Sequence, residues 1–197
     1  IFLHYRGYTF NRVAEFEIVR ELKENVCYVA VDFEFEKKMA LETTVLSKTY
    51  TLPDGRVIRV DRERFDAPEA LFHPRLVGKD GAGMSEMIMN SILACDRDLR
   101  TKFYSTIVLS GGSTMYPGLP SRIEHDVREL YKKLVVKGDE KLARKLKLNI
   151  EDPPRRRHMV FTGGAVLADL IRKQDSMWVT RAEYQEHGIN ILAQKRL

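Results

Sequence analysis

The sequence predicts an α/β fold, in which short buried strands lead into glycine turns and then into helices. Residues 106–118 (TIVLSGGSTMYPG) contain an apolar, β-branched run, a Gly-Gly pair and a path toward a helix. Residues 159–171 (MVFTGGAVLADLI) show the same order about fifty residues later. Residues 15–29 carry apolar side chains at three- and four-residue steps, which is typical of an amphipathic helix. Together these patterns favour strands and helices that alternate around a common core.

Length and composition indicate a globular chain with a substantial core. The 197 residues, 44% hydrophobic and 31% charged, are enough for one sizeable domain or two small lobes. Cys27 and Cys95 form no C-x-x-C or Cys/His cluster, which favours buried, reduced thiols in an intracellular protein. No run has the length of a membrane span, and no signal peptide is visible. Because the chain starts IFLHYRG without an initiator methionine, we expect it to be part of a longer protein.

The net charge of +5 and the pI near 9.2 raise the possibility of a nucleic-acid partner. Basic residues concentrate in 155–157 and in 132–147. No aromatic residues interleave with either cluster, and no nucleic-acid-binding signature accompanies them. The pattern therefore favours protein contacts or a solvated face over nucleic acid.

The first half of the chain predicts two helices and a hairpin. The helix 15–29 would bury the apolar residues Phe16, Val19, Leu22, Val26 and Val29 and expose the charged residues Arg20, Lys23 and Glu24. From periodicity alone, that charged face is an ordinary solvated one. Residues 32–41 predict a loop that leads into a short helix. Residues 45–52 and 56–60 predict a hairpin around Pro53-Asp54-Gly55.

Between the hairpin and the opening glycine unit the chain predicts helices and one boundary. Residues 62–76 contain a short helix bracketed by Pro68 and Pro74, in which His73 is structural. The glycine-rich stretch 78–83 is the best candidate for an internal boundary. Residues 85–96 then predict a helix with one apolar face.

The glycine unit itself makes specific backbone predictions. The run 106–109 predicts a strand covered on both faces, and Gly111 and Gly112 permit positive φ. Ser121 and Glu124 have the S-x-x-E spacing of a capping box at a helix start. The helix 121–136 would bury the apolar residues Ile123, Val127, Leu130, Leu134 and Val135.

The remaining chain predicts a polar excursion and a second glycine unit. Residues 136–147 are polar and helix-prone, and 148–150 predict a short strand. Residues 159–161 predict a strand that passes through a Gly-Gly turn into a helix over 165–171. Thr180 and Glu183 have capping-box spacing, so we expect a last short helix that ends at His187.

A strand, a glycine turn and a helix N-terminus often hold a phosphorylated ligand, because backbone N–H groups face the anion. A tight turn without a ligand explains the same spacing equally well. The fuller G-x-x-x-x-G-K-[ST] loop is absent. We find no H-E-x-x-H, no G-x-S-x-G and no Ser/His/Asp set, so the sequence predicts part of a ligand site and no catalytic constellation.

Several linked phrases resemble the actin family. RGYTF, YTLPDGRVI, RERFDAPEALFHP, LSGGSTMYPG and VFTGGAVLADL occur in the order of that family's C-terminal half, over essentially all of residues 1–197. The phrases LETTVL, IEDPPRRRHMVF and GGAVLADL, with the long excursion 131–147, are more similar to an actin-related member of a filament-branching complex than to conventional actin.

The resemblance implies the C-terminal half of an actin-type ATPase (ribonuclease H-like) fold. Residues 1–79 would form an outer small lobe, 80–158 an inner lobe, and 159–197 the C-terminal piece of the other inner lobe. ATP would contact the helix face and the glycine loop through Arg20, Glu21, Leu22, Lys23, Glu24, Gly111, Gly112, Ser113, Thr114, Met115, Tyr116 and Arg157. The family usually has lysine where Arg157 stands, and arginine keeps the charge with a different geometry.

The resemblance also implies partners and a location. A groove formed by Val166, Leu167 and Leu170 would accept an amphipathic helix or a loop, although periodicity alone favours these residues as core. The magnesium ligands and the hydrolytic residues would lie outside this chain, so we expect no hydrolysis by the chain alone. Expected partners are a second actin-related protein, the smaller subunits of the complex, actin and nucleation-promoting factors, in the cytoplasmic actin cytoskeleton. Conventional actin and a sugar-kinase-type enzyme are the alternatives.

Overall fold

The computed structural model describes residues 1–195 and contains helices and short strands, as the α/β prediction requires. The first part of the chain contains four helices, one hairpin and a 3-10 turn. In chain order these are α1 (Phe2–Tyr5), α2 (Val13–Val26), α3 (Phe33–Glu42), β1 (Lys48–Thr51), β2 (Val57–Val60), α4 (Glu63–Glu69) and the 3-10 turn Pro74–Val77.

The second part adds seven helices, a parallel strand pair and two 3-10 turns. In order they are α5 (Met84–Ala94), α6 (Arg97–Ser105), β3 (Ile107–Val108), the 3-10 turn Gly112–Thr114, α7 (Leu119–Leu134), α8 (Glu140–Ala143), β4 (Ile150–Glu151), α9 (Met159–Leu170), the 3-10 turn Asp175–Met177, α10 (Arg181–His187) and α11 (Asn190–Lys195).

Two clusters of buried apolar residues form the core. One packs α5 and α7 against the strand β3 and contains Val29, Phe72, Met89, Ile92, Tyr104, Leu109, Leu119, Ile123 and Val127. The other packs α2 against the hairpin and contains Leu22, Val26, Cys27, Leu52, Ile58 and Val60. Tyr116 packs against both clusters, so the loop before α7 lies where the two meet.

The predicted hairpin is confirmed. Strands β1 and β2 pair antiparallel with Tyr50 opposite Ile58. Gly55 occupies the left-handed region at φ +84°, as the Pro-Asp-Gly turn requires. The side chain of Asp54 accepts a hydrogen bond from the Arg56 amide at 2.9 Å, which closes the turn.

The strands around the first glycine unit form a short parallel pair. Ile107 lies opposite Ile150, and the Leu109 amide donates to the carbonyl of Glu151 at 2.8 Å. Val108 is 48% exposed, so the prediction of a strand covered on both faces is wrong. Only two strands pair here, and one face of such a narrow ribbon stays open. Helix α6 just before it, which buries Tyr104, was not predicted as an element.

Helix α7 begins three residues earlier than the capping-box spacing predicts. It starts at Leu119 after Gly118, whose φ of +82° ends the preceding turn. Ser121 therefore lies inside the first turn and does not cap the helix. Leu134 and Val135 at its end are 48% and 39% exposed, so the prediction that they face the core is also wrong.

The second glycine unit is one continuous helix, α9, so the prediction of a strand over 159–161 is wrong. A strand needs a neighbouring strand to pair its backbone groups, and no described residue pairs with this segment. A helix satisfies the same groups internally, even with Gly163 and Gly164 in its middle. The two Gly-Gly units therefore differ in structure.

The predicted helix cap near the C-terminus is confirmed. The Glu183 amide donates to Thr180 Oγ1 at 3.2 Å, and the Thr180 amide donates to Glu183 Oε2 at 2.8 Å. These reciprocal bonds start α10, which ends at His187 as predicted. A further helix, α11, follows it.

Candidate functional site

A cavity of about 550 Å³ lies between α2 and the loop that joins β3 to α7. The two walls come from segments about ninety positions apart in the sequence. Most of its lining is polar or charged. The lining residues are Arg20, Lys23, Glu24, Asn25, Gly112, Ser113, Met115, Tyr116, Pro117 and Arg157.

The wall from α2 presents charged side chains one helical turn apart. Arg20 donates to Glu24 Oε1 at 2.8 Å and to both oxygens of Glu17. The hydrogen bonds that Arg20 donates to Glu17 and Glu24 raise the pKa of its guanidinium, and the bond to Arg20 lowers the pKa of Glu17. Lys23 makes no ion pair with any residue that the structure describes. Its ammonium group is therefore available to an anion.

The opposite wall is held by a buried arginine. Arg156 is 7% exposed and donates to the carbonyl of Thr114 at 2.8 Å and to the carbonyl of Asp152 at 3.0 Å. The Gly111 amide in turn donates to the carbonyl of Arg156 at 3.0 Å. The sequence pattern attributed the arginines 155–157 to protein contacts or a solvated face, whereas Arg156 is buried and bonded within its own chain. Its bonds hold the glycine loop in place.

The two glycines of this loop have different conformations. Gly111 lies at φ +91°, a region that favours glycine, as predicted. Gly112 does not have positive φ, so only the first glycine of the pair uses this freedom. Gly112 and Ser113 start the 3-10 turn, and among residues 1–195 their amides have no hydrogen-bond acceptor. These two N–H groups can donate to a ligand in the cavity.

Tyr116 supplies the apolar floor of the cavity. Burial, followed by the nearby Cys27 and Glu24, raises the pKa of its hydroxyl to about 12. The side chain is therefore a neutral phenol at physiological pH. Because its ring also packs against both core clusters, its position is fixed by the fold.

Arg157 closes the third side of the cavity. Its Nη1 lies 3.8 Å from Glu24 Oε2, so Glu24 lies between two guanidinium groups. A Cβ placed on Gly112 would contact the Arg157 side chain at 3.9 Å. The cavity thus contains three cationic side chains and one carboxylate, and this balance suits an anionic ligand.

The structure brings together most of the residues predicted to contact a cofactor. Four of them do not line the cavity. Leu22 is 4% exposed and belongs to the apolar core, and Glu21 is not among the lining residues. Gly111 and Thr114 belong to the glycine loop but do not line the cavity. Asn25 and Pro117 line the cavity but were not predicted. Their positions could have indicated this, because Asn25 lies within a helical turn of Lys23 and Pro117 directly follows Tyr116.

The arrangement can hold a ligand with a flat apolar part, hydroxyl groups and a negative charge. Tyr116 and Met115 provide the apolar surface, Glu24 accepts from hydroxyl groups, and Lys23 with the free amides faces an anion. Among the residues described, no group of three His, Cys, Asp or Glu side chains is placed to hold a metal ion. Nor is any helix in that part of the chain long and apolar enough to cross a membrane.

The three residues predicted to form a partner groove lie together on α9. Val166, Leu167 and Leu170 are 55%, 54% and 74% exposed. Their exposure contradicts the reading from periodicity alone, which assigned them to the core. Helix α9 contains no buried residue.

Comparison with known proteins assigns the fold to a family. The family model described as Actin matches residues 2–197, so the chain belongs to the actin family and has its α/β fold. Its relatives include proteins named Actin-related protein 2. The Drosophila melanogaster protein is 55% identical over 187 residues, which are 95% of this chain and 47% of that protein.

Two further relatives of the same name come from distant organisms. Those of Acanthamoeba castellanii and Arabidopsis thaliana are each 54% identical over 187 residues, which are 95% of this chain and 48% of each relative. The chain therefore spans about half the length of the curated relatives it matches. These similarities confirm the resemblance to the actin family and, within it, to actin-related protein 2.

Proposed function

We propose that this protein is an ATP-binding, actin-related subunit of the actin-related protein 2/3 complex, which nucleates branched actin filaments from the sides of existing filaments. The identity of 54–55% to proteins named Actin-related protein 2 supports this role. Its partners would be actin-related protein 3, the smaller subunits of the complex, actin and nucleation-promoting factors. It would act in the cytoplasmic actin cytoskeleton, with no nucleic-acid partner.

The cavity between α2 and the glycine loop is the observation that carries ATP binding. Glu24 would accept hydrogen bonds from the sugar hydroxyls, and Arg157 would lie beside the base. The amides of Gly112 and Ser113, with Lys23, would face the phosphates. Bound ATP would supply a γ-phosphate, and its presence or absence would act as the switch between conformations.

Magnesium would accompany ATP, with ligands from a part of the protein outside this chain. The residues described provide no acidic cluster for it. For the same reason, slow hydrolysis would be a property of the full-length protein only.

The lobes would follow the boundaries predicted above. Residues 1–79 would form the outer small lobe, and 80–158 the inner lobe, with the boundary at the glycine-rich stretch 78–83. Residues 159–197 would join the other inner lobe. The apolar stripe of Val166, Leu167 and Leu170 on α9 would face a groove that accepts an amphipathic helix from regulators or a loop from an actin subunit.

The test of ATP binding compares two carboxylates on the same helix. In the full-length protein, Glu24→Gln should weaken ATP binding about tenfold, because a charge-assisted hydrogen bond is worth roughly 1.5–3 kcal/mol. Glu21→Gln removes a carboxylate one helical turn earlier that does not line the cavity, and should leave the Kd unchanged. Titration measures the Kd of both variants. If the two substitutions change the Kd equally, the cavity is not the ATP site.

A further inference from the structure

Helix α7 carries an arginine that is almost completely buried. Arg122 is 5% exposed, and its guanidinium donates to both oxygens of Glu69 at 2.8 and 2.9 Å. Its Nε donates to the two oxygens of Asp126 at 2.9 and 3.0 Å. Glu69 has no exposed surface at all. Helices α4 and α7, which are distant in the sequence, thus meet at one side chain.

Each carboxylate in this cluster has a second partner. His73 Nδ1 lies 2.7 Å from Glu69 Oε1, and Ser85 donates to Asp126 Oδ2 at 3.0 Å. The guanidinium also lies 4.6 Å from the ring centre of Phe72. A buried ion pair is weak grounds for stability, because desolvation offsets much of the attraction between its charges. We therefore ask which segments the bonds of this cluster hold together, and not how much the cluster stabilises the fold.

The remaining bond of Arg122 reaches the segment that follows α2. Its Nη1 donates to the carbonyl of Ala30 at 2.8 Å. One residue earlier, the amide of Val29 donates to the carbonyl of Pro117 at 2.8 Å. A Cβ on Gly118 would lie 2.3 Å from the Val29 carbonyl oxygen, so the two backbones are in direct contact. The segment after α2 is thereby tied to the segment after the glycine loop.

These two segments continue directly from the two walls of the cavity. Residues 20–25 of α2 lead into 29–30, and the loop residues 112–117 lead into α7. We infer that Arg122 is a positioning residue for the nucleotide site, which fixes the separation of α2 from the glycine loop. This inference rests on the proposed function. It assigns a role in ligand affinity to a side chain that does not touch the cavity.

The test removes both members of the buried pair, so Glu69 is not left as an unpaired buried charge, while the partly exposed Asp126 keeps its bond from Ser85. Arg122→Met combined with Glu69→Met keeps side-chain volume and apolar packing, so the fold is retained. The control is Arg128→Met with Glu124→Met, an exposed pair on the same helix joined at 2.8 Å. Both are made in the full-length protein. Arg122→Lys is the second variant, since one ammonium group keeps the charge but cannot bind Glu69 and Ala30 together in the same geometry.

Two measurements distinguish a positioning role of Arg122 from a general contribution to the stability of the fold. In the absence of nucleotide, hydrogen exchange of the Val29 amide should become at least tenfold faster in the Arg122 variants. The neighbouring Tyr28 amide, which donates to the Arg64 carbonyl at 3.0 Å, should be unaffected. The Kd for ATP should rise at least tenfold, and the control pair should change neither quantity.

The possible outcomes decide between the alternatives. Unchanged Val29 exchange and unchanged Kd in folded variants overturn the inference. Equal acceleration at Val29 and Tyr28 with a lower Tm also overturns it, because that pattern is general destabilisation. If the wild-type protein binds no ATP, the proposed function fails, and selective acceleration at Val29 still supports Arg122 as the residue that fixes the two walls.

Discussion

Gly111 and Gly112 show that adjacent identical residues can serve different purposes. Gly111 lies at φ +91° with ψ 159°, a region that is almost exclusive to glycine. Gly112 lies in ordinary backbone conformation, and the space beside it belongs to the cavity. The Gly-Gly pair predicted backbone freedom that Gly111 uses, but it did not reveal which of the two glycines adopts positive φ and which leaves space for the cavity.

Substitution of each glycine by valine should therefore have a different effect. In the full-length protein, Gly111→Val should cost about 1–3 kcal/mol of folding free energy through backbone strain. Gly112→Val should leave the Tm nearly unchanged and weaken ATP binding, because its methyl groups enter the cavity. Thermal melting and ATP titration of both variants test this. Unchanged ATP affinity in a folded Gly112→Val protein would argue against the nucleotide site.

Cys27 and Tyr116 make the region around the cavity sensitive to alkaline pH. Burial raises the pKa of the Cys27 thiol from 9.0 to about 11 and that of Tyr116 from 10.0 to about 12. Both groups are neutral when protonated, and both bind their proton more tightly when folded. Their contribution to the free energy of unfolding is therefore fully present below pH 9 and is lost as the pH rises toward 12.

Tyr116→Phe should reduce the alkaline loss of stability. Between pH 10 and 12 the wild-type protein should lose on the order of 1 kcal/mol more than the variant, after allowance for partial exposure. Tyr5→Phe is the control, because Tyr5 is 78% exposed. Urea unfolding at several pH values measures the difference. The same pH dependence in all three proteins would show that the Tyr116 hydroxyl is not responsible.

Sequence periodicity placed some of the cavity residues on one helix face, whereas only the family resemblance assigned them to a ligand site. Arg20, Lys23 and Glu24 share a helix face, which follows from spacing of three and four residues. Arg156 and Arg122 bind partners 42 and 53 positions away, at Thr114 and Glu69. No local pattern separates such buried arginines from exposed ones, because their burial depends on where distant segments meet.

At the scale of elements, local signals gave the reliable predictions. The hairpin around Gly55 and the cap at Thr180 depend on residues within a few positions of each other, and both were predicted. Helix α9 was divided wrongly into a strand and a helix, since MVF has the composition of a strand. Whether such a run forms a strand depends on a neighbouring strand, and a sequence window contains no information about that neighbour.

The exposure of α9 leads to a prediction about binding. Leu170 is 74% exposed, so Leu170→Ala should leave the Tm of the assembled complex nearly unchanged. It should weaken activator binding and filament nucleation if the stripe forms the groove wall. Both quantities should be measured on the same preparation.

A core truncation provides the contrast. Ile123 has no exposed surface, and Ile123→Ala should cost roughly 2–5 kcal/mol of stability. If Leu170→Ala lowers the Tm as Ile123→Ala does and leaves activator affinity unchanged, the residue belongs to the core of the full-length protein and the groove proposal fails.

At the scale of the molecule, the cavity lies where the two apolar clusters meet. Tyr116 packs against both clusters, and Arg122 joins α7 to the segment after α2. A site of this kind depends on the relative position of two packing units. Its residues could be proposed from the family resemblance, whereas the bonds that set the separation of its walls required the structure.

The same organisation predicts what the 197-residue chain can do by itself. The residues described supply the cavity proposed to bind ATP and no cluster of carboxylates for a metal ion. The chain also spans only 47–48% of its relatives' length. Since magnesium stabilises the charge that develops in phosphoryl transfer, we expect no ATP hydrolysis above background and no polymerisation by the purified chain.

Phosphate release and light scattering measure these two activities, with the full-length protein in its complex as the positive control. The chain must be folded for the comparison. Protection of the Val29 amide from hydrogen exchange reports its contact with Pro117, which joins the segment after α2 to the segment before α7. Turnover by a folded chain would mean that its own residues complete a hydrolytic site. In that case Glu24 and Lys23, which line the cavity together with the glycine loop, would be the first to substitute.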